Sequence, residues 1–217
     1  MVKYSNVEKR DLVIAFILLI ICFSLATAGF NLNGILSFLP IIIISVAIGS
    51  ISHELGHKWV ALKYGYHAEF KLWPLGMLIA FVTSLFGVVF ASPGTVRISE
   101  EDVPDDINGR IFIAGPMANI ALAFMFGIIS VLISPLKGYS DVLYFIFLIS
   151  LVGVSVNSFL ATFNLFPIYS LDGTKVLKWN VWMWLAAIAI AGILLLISIS
   201  IGPENMVKSF MNHIPYI

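Results

Sequence analysis

Two histidines and one glutamate form a His-Glu-x-x-His pattern at His53, Glu54 and His57, and they are the only ionisable side chains between residues 35 and 57. Residues four apart lie on the same face of a helix, so both imidazoles can bind one ion. Glu54 projects about 100° around the axis and can lie near a water on that ion without binding the ion itself. Ionisable groups inside an apolar segment are energetically costly and indicate function. The pattern predicts a metal-dependent hydrolytic site, and the alternative is two buried histidines that only form hydrogen bonds between helices.

Zinc suits imidazole and carboxylate ligands, and a catalytic zinc takes three protein ligands and keeps a fourth position for water. A third ligand must therefore come from elsewhere in the chain. The candidates are His67, Glu69, Asp141, Asp172 and His213. Asp172 follows an apolar segment and lies where a proline and a glycine break helical regularity, so its carboxylate can turn back toward a metal. We predict one zinc ion (Zn2+) per chain, bound by the two histidines and Asp172. The alternative for this aspartate is a capping or turn role.

The composition requires a membrane around these residues. The chain has 217 residues, of which 60% are hydrophobic and 11% charged, whereas a soluble domain is about 45–50% apolar and about 25% charged. One soluble core cannot hide so much apolar surface. The formal net charge of zero excludes a nucleic-acid-binding protein, and a single Cys22 excludes an internal disulfide framework. Because no segment alternates with period two, the prediction is an all-α polytopic membrane protein.

Six apolar segments are long enough to be considered as membrane spans. They are residues 12–30, 35–62, 72–92, 107–134, 142–165 and Val181–Ile201. Basic residues before the first segment place the N-terminus in the cytoplasm. The basic residues after the second and fifth segments agree with this orientation only if 72–92 does not cross the membrane. We therefore predict a hairpin or re-entrant element at 66–98, with a full span as the alternative, and a site nearer the cytoplasmic side.

With these elements in place, the chain resembles the site-2 protease family of intramembrane zinc metalloproteases. Three motifs carry the resemblance: His-Glu-Leu-Gly-His at 53–57, Gly-Pro-Met-Ala-Asn at 115–119 and Asn-x-x-Pro-x-x-x-x-Asp-Gly at 164–173. The resemblance covers about residues 35–178. It implies a three-helix catalytic core with a membrane-associated hairpin after the first core helix. Residues 1–217 then form a single transmembrane protease domain, with flanking helices at 12–30 and 181–201.

The resemblance also implies a function. We expect a multi-pass protein of the cell membrane that cleaves transmembrane segments of other membrane proteins, as in regulated intramembrane proteolysis, with Glu54 as general base. The expected partners are the transmembrane helix of a substrate and the lipid bilayer, with no nucleic acid, and the sequence specifies no oligomeric state. Asn164, and less strongly Asn119, are predicted to contact unwound substrate backbone, although hydrogen bonding between helices is the favoured role for Asn119. The edge of the predicted hairpin could also pair with the unwound substrate backbone by strand addition.

Three other functions fit parts of the pattern. A metal transporter would use the same histidines and aspartate as a transit site, but paired inverted repeats are not found. A non-cleaving relative would bind membrane segments, which the intact Glu54 argues against. A membrane peptidase acting on prenylated chain ends would take a glutamate from a later helix as its third ligand, and there is none between Asp106 and Glu204.

Overall fold

The computed structural model describes residues 4–90, 93–98, 102–168 and 171–202. Within these ranges the chain forms seven helices and one two-stranded antiparallel sheet. The elements, in chain order, are α1 (Asn6–Ala28), α2 (Leu32–Lys63), β1 (Ala68–Leu72), α3 (Pro74–Ser84), β2 (Gly94–Ile98), α4 (Asp105–Ile133), α5 (Asp141–Asn164), α6 (Asp172–Trp179) and α7 (Val181–Ile201). The predicted all-α polytopic fold class is confirmed.

Five of the helices, α1, α2, α4, α5 and α7, are long and apolar enough to cross a membrane, and the protein is an integral membrane protein. The segment predicted at 72–92 is different. Its helix α3 has only 11 residues, and β1 pairs with β2 so that Leu72 lies opposite Gly94. The chain therefore returns to the point where the segment began. The hairpin prediction is confirmed, and the alternative of a full span is wrong.

Polar residues at the helix starts separate the apolar segments. The side chains of Ser5, Asn31, Ser140 and Asn180 each accept a hydrogen bond from a backbone N–H in the first turn of α1, α2, α5 and α7. Such caps satisfy N–H groups that a helix leaves without partners. They fix where these four helices begin.

Glycines allow the central helices α2, α4 and α5 to approach closely. A Cβ atom at Gly56 of α2 would lie 2.8 Å from the carbonyl oxygen of Ala114 on α4. One at Gly49 of α2 would lie 2.9 Å from Oδ1 of Asn157 on α5. Small residues at helix contacts are typical of membrane proteins because the backbones can then pack directly. This close packing brings polar groups of three helices together around the middle of α2.

A buried ion pair ties α1 to α2 and to the hairpin. The Nζ atom of Lys58 donates to both carboxylate oxygens of Glu8 at 2.7 Å, and the two side chains are only 3% and 1% exposed. Glu8 Oε1 also accepts from the backbone N–H of Phe70 in β1 at 3.0 Å. The Tyr4 ring lies over the ammonium, 3.9 Å from its centroid. Because Lys58 directly follows His57, this cluster fixes α1 and β1 relative to the predicted metal site.

We expect Lys58→Met to destabilise the protein by about 3–5 kcal/mol, because it leaves the Glu8 carboxylate buried without its counter-charge. The free energy of unfolding in detergent micelles measures this. The double variant Glu8→Leu with Lys58→Met should recover most of the loss, and Lys63→Met, at an exposed position of the same helix, is the matched control. Equal stability of the Lys58 and Lys63 variants would contradict the role given to the ion pair.

Candidate metal centre

Three side chains from two distant parts of the chain converge at the centre of the bundle. His53 and His57 lie one turn apart on α2, and their Nε2 atoms are 3.0 Å apart. Oδ2 of Asp172, at the start of α6, is 3.1 Å from His53 Nε2 and 3.2 Å from His57 Nε2. All three residues are buried, and they form the one group of metal-ligating side chains found among the described residues. The structure thus brings the three predicted ligands together.

The other candidates for a third ligand lie elsewhere. His67 is 55% exposed and lies 3.6 Å from Glu69, and neither residue belongs to the group of three. Asp141 begins α5, whose 24 residues separate it by about 36 Å from the end of that helix. His213 lies outside the described residues.

The turn between α5 and α6 brings Asp172 back to the centre. Helix α5 ends at Asn164, and the chain reverses so closely that a Cβ atom at Gly173 would overlap the carbonyl group of Leu165. Only glycine fits there. Leu165 O also accepts from the indole Nε1 of Trp184 on α7 at 2.7 Å, which holds the reversal in place. The helix break predicted from proline and glycine is therefore the feature that turns the carboxylate toward the histidines.

Hydrogen bonds fix the tautomers of both imidazoles. Nδ1 of His57 lies 2.8 Å from the carbonyl oxygen of Ile111, which can only accept, so Nδ1 carries the proton. Nδ1 of His53 lies 2.6 Å from Oδ1 of Asn119. The Nδ2 of that amide donates to Gly49 O at 3.0 Å and to Asn157 Oδ1 at 2.9 Å, so its oxygen faces His53. By this hydrogen-bond network both Nε2 atoms carry lone pairs.

The arrangement fits a bound cation. Two imidazole lone pairs and a carboxylate oxygen meet at 3.0–3.2 Å, and these groups repel one another unless positive charge lies among them. Two nitrogens and one oxygen form a donor set that zinc prefers. A Cβ atom at Gly115 of α4 would overlap both imidazole rings, so the glycine leaves the space that the rings occupy. The residues present therefore fit a zinc ion held by His53, His57 and Asp172.

Glu54 lies beside the three donors without belonging to the group. It lines a small cavity of about 10 Å³ together with His53, His57 and Asp172, which is on the order of the space that one water requires. Its Oε2 atom is buried and has no hydrogen-bond partner among the described residues. An unpartnered carboxylate oxygen next to a water-sized space is suited to accept a proton from that water.

A larger cavity of about 520 Å³ also reaches Glu54 and His53. Its wall is mostly apolar and comes from α1, α2 and α5 together with residues of the hairpin, with Phe16, Phe70 and Phe159 among the lining side chains. Asn164 lines both cavities, and its Nδ2 donates to Leu160 O at 2.9 Å. An apolar segment in the larger cavity would have its backbone next to Glu54 and Asn164.

Lys175 places a cation near the carboxylate of Asp172. Its Nζ atom lies 4.5 Å from the centroid of the Phe112 ring and donates to Leu171 O at 3.2 Å. Burial lowers the pKa of the Lys175 ammonium, and the charge of Asp172 opposes that shift. The negative charge of Asp172 therefore stabilises the charged form of Lys175.

Two contacts of the centre differ in how far the sequence predicts them. The carbonyl of Ile111 orients His57, and a backbone group gives no signal in residue types. Asn119 belongs to the Gly-Pro-x-x-Asn motif. It was predicted to form hydrogen bonds between helices, and it bonds to groups on α2 and α5. It is 0% exposed, and the substrate contact suggested for it stays a prediction.

Together, the fold and the site define a membrane-embedded helical protein with a buried metal-binding centre and an adjacent carboxylate, the arrangement of a metallopeptidase. The model of peptidase family M50 matches residues 38–144. A relative from Methanocaldococcus jannaschii, "Putative zinc metalloprotease MJ0611", is 40% identical over 183 residues, which cover 84% of this chain and 89% of the relative. The chain belongs to peptidase family M50, and the predicted membership of the site-2 protease family is confirmed.

Two further relatives carry similar names. "Zinc metalloprotease MJ0392" of Methanocaldococcus jannaschii is 29% identical over 77% of this chain and 41% of its own length. "Putative zinc metalloprotease YwhC" of Bacillus subtilis (strain 168) is 30% identical over 66% of this chain and 70% of its own length. No solved structure matches the chain.

Proposed function

We propose that the protein is a zinc-dependent intramembrane endopeptidase that cleaves transmembrane segments of other membrane proteins. The observation that carries the proposal is the meeting of two imidazole lone pairs and the Asp172 carboxylate beside the unpartnered carboxylate oxygen of Glu54. The names of three relatives as zinc metalloproteases support zinc as the ion. The location of the centre within a bundle of apolar helices supports a substrate that lies in the membrane.

The residues have separate roles in this proposal. His53, His57 and Asp172 hold the metal, which when bound would polarise the scissile carbonyl and lower the pKa of a water to about 7. Glu54 accepts a proton from the attacking water and delivers it to the leaving amide nitrogen. The water oxygen bonds to the carbonyl carbon, and the C–N bond breaks. A carboxylic acid and an amine are the products, so atoms and charges balance.

The substrate helix must unwind locally, and backbone groups freed in lipid cost several kcal/mol each unless they find partners. The outer edge of β2 offers such partners. Trp73 N–H donates to Pro93 O at 2.8 Å, so these two residues form a hydrogen-bonded pair. Hydrogen-bonded and non-hydrogen-bonded pairs alternate along an antiparallel sheet. By this alternation Phe70 and Val96 form a non-hydrogen-bonded pair, and Val96 directs its N–H and C=O away from β1. Val96 lines the same small cavity as Glu54 and Asp172. We propose that the unwound segment pairs with β2 here, and that Asn164 contacts its backbone.

The outer edge of β1 is less suited to this pairing. Glu8 already accepts the outward N–H of Phe70 at 3.0 Å. A substrate strand added there would displace a buried carboxylate that also pairs with Lys58. The contacts on the two edges therefore favour β2, the edge beside the proposed metal.

The experiment that tests the proposal uses the purified protein in lipid vesicles with an apolar transmembrane peptide as substrate. We expect 1,10-phenanthroline to remove zinc and cleavage together, and stoichiometric Zn2+ to restore both, because the proposed site has no other source of an activated water. Cleavage that persists after zinc is gone would contradict the proposal. Zinc that crosses the vesicle membrane without any cleavage would favour a transporter.

We also propose a cell-membrane protein with its N-terminus in the cytoplasm and the metal centre nearer that side. Basic residues at the start of α1 and around the end of α2 support this orientation, among them Lys9, Arg10 and Lys63. Single cysteines at Asn31 and Lys63, introduced after Cys22→Ala, should be labelled by an impermeant maleimide from the outside and the inside respectively. The reverse pattern in intact cells would overturn the orientation.

A further inference from the structure

Behind His53, a chain of buried amides crosses three helices. Asn157 on α5 and Asn119 on α4 are both 0% exposed. Asn119 Nδ2 donates to Asn157 Oδ1 at 2.9 Å, and Asn119 Oδ1 lies 2.6 Å from His53 Nδ1. The side chain of Asn157 bonds to Asn119 and to its own helix and not to either imidazole, and Asn157 belongs to none of the three motifs of the sequence.

We propose that Asn157 is a positioning residue for His53, acting through Asn119 to fix the tautomer that binds metal. The inference rests on the metal centre of the proposed function. It assigns a role to a residue of α5 that lies one hydrogen-bonded amide away from the ligand.

The donor-to-acceptor direction of these hydrogen bonds is set at Asn157. Its Nδ2 donates to the carbonyl oxygen of Gly153, one turn earlier on α5, at 2.8 Å. A carbonyl oxygen only accepts, so the NH2 group of Asn157 must face it, and Oδ1 of Asn157 must face Asn119. The orientation of the Asn157 amide is thus set by its own helix.

Asn119 must then present its oxygen to His53. If the Asn119 amide were flipped, its oxygen would face Oδ1 of Asn157 at 2.9 Å and the carbonyl oxygen of Gly49 at 3.0 Å. Two acceptor pairs at these distances, away from water, are strongly unfavourable. The flipped amide would also donate to His53 Nδ1 and place the proton on Nε2, where it blocks the metal. Asn157, together with the carbonyl of Gly49, therefore selects the imidazole tautomer whose Nε2 lone pair faces His57 and Asp172.

The backbone leaves room for this arrangement. A Cβ atom at Gly49 would lie 2.9 Å from Asn157 Oδ1 and 3.3 Å from Leu160 Cδ1. With glycine at this position, α2 approaches α5 closely, and the carbonyl of the same glycine accepts from Asn119 on α4. The glycine and the two asparagines form one unit that joins α2, α4 and α5 behind the ligand.

The test compares Asn157→Leu with Asn157→Asp in the full-length protein. Leucine has a similar size and offers no acceptor to Asn119. Aspartate, which is protonated in this buried apolar setting, keeps a carbonyl acceptor for Asn119 and donates its O–H to the carbonyl oxygen of Gly153. Groups that orient metal ligands typically contribute about 10–100-fold to metal affinity. We therefore expect Asn157→Leu to weaken Zn2+ binding by about 10–100-fold in a chelator competition, and Asn157→Asp to restore most of it. Ser158→Ala is the matched control, because Ser158 is equally buried and bonds only to carbonyls of its own helix.

A second readout follows the tautomer itself. In the zinc-free protein with 15N-labelled histidine, we expect His53 to carry its proton on Nδ1 in the wild type and in Asn157→Asp. In Asn157→Leu we expect signal from the Nε2–H form. Wild-type affinity and an unchanged tautomer in Asn157→Leu would overturn the inference. Should that variant fail to fold, an Nε2–H tautomer of His53 in the zinc-free wild type would overturn it equally, and an Nδ1–H tautomer would support it.

Asp172→Ala in the same competition separates this inference from the proposed function. If Asp172→Ala binds zinc as the wild type does, the metal centre itself is wrong. If it loses zinc while Asn157→Leu and Ser158→Ala both keep it, the metal centre stands and only the role of Asn157 is wrong.

Discussion

Replacement of Glu54 by glutamine is expected to abolish detectable cleavage while the zinc content stays at one ion per chain. Glutamine has nearly the same shape but cannot accept a proton from water, and a positioned general base contributes about 10²–10⁴-fold to the rate. Glu54 lies beside the group of three donors and is not one of them, so the metal should remain bound. The cleavage rate of a membrane-embedded peptide and the zinc content by elemental analysis measure the two effects.

The matched control for this experiment is Glu69→Gln. Glu69 faces His67 and Lys71, at 3.6 Å and 2.9 Å, away from the centre. This variant should retain wild-type zinc and activity. Full activity in Glu54→Gln would remove Glu54 from the mechanism, and loss of zinc in that variant would make it a ligand instead of a base.

Asp172→Ala is expected to lose both zinc and cleavage. Without the carboxylate, the two imidazoles provide two donors where a catalytic zinc takes three from the protein. The loss of affinity should exceed the about 10–100-fold effect that is typical of groups behind the ligands. Chelator competition gives the affinity, and the peptide assay gives the rate.

Asp141→Ala provides the comparison for this second prediction. Asp141 lies in the first turn of α5, at the end of that helix opposite the reversal that precedes Asp172. The substitution should leave zinc binding and cleavage unchanged. Tight zinc binding in Asp172→Ala would contradict the assignment of the third ligand.

The meeting of His53, His57 and Asp172 could be predicted because each side chain has a local physical signal. The spacing of His53 and His57 places two imidazoles on one helix face, and an uncharged apolar segment makes their presence conspicuous. Asp172 could be predicted as the third donor because helical regularity breaks next to Gly173. The missing side chain of this glycine permits the chain to reverse against Leu165. The hairpin prediction came from the distribution of basic residues, which required an even number of crossings between the end of α2 and Lys175.

The remaining details depend on groups or contacts that a single sequence does not display. The strands β1 and β2 have five residues each, too short to give a reliable alternation, and they exist because they pair with each other across the hairpin. The carbonyl of Ile111 and the oxygen of Asn119 orient the imidazoles only after α2 and α4 have packed together. The link from Glu8 to Lys58 and Phe70 likewise joins three elements.

The proposed metal centre holds a single zinc ion, bound by two imidazoles and a carboxylate inside the helical bundle. X-ray absorption spectroscopy at the zinc K-edge, on the folded protein in lipid, tests it most directly. We expect one zinc per chain, with the outer-shell scattering of two imidazole rings and with oxygen completing the inner shell. A folded wild-type protein that binds no zinc, or whose zinc spectrum lacks imidazole scattering, would contradict it.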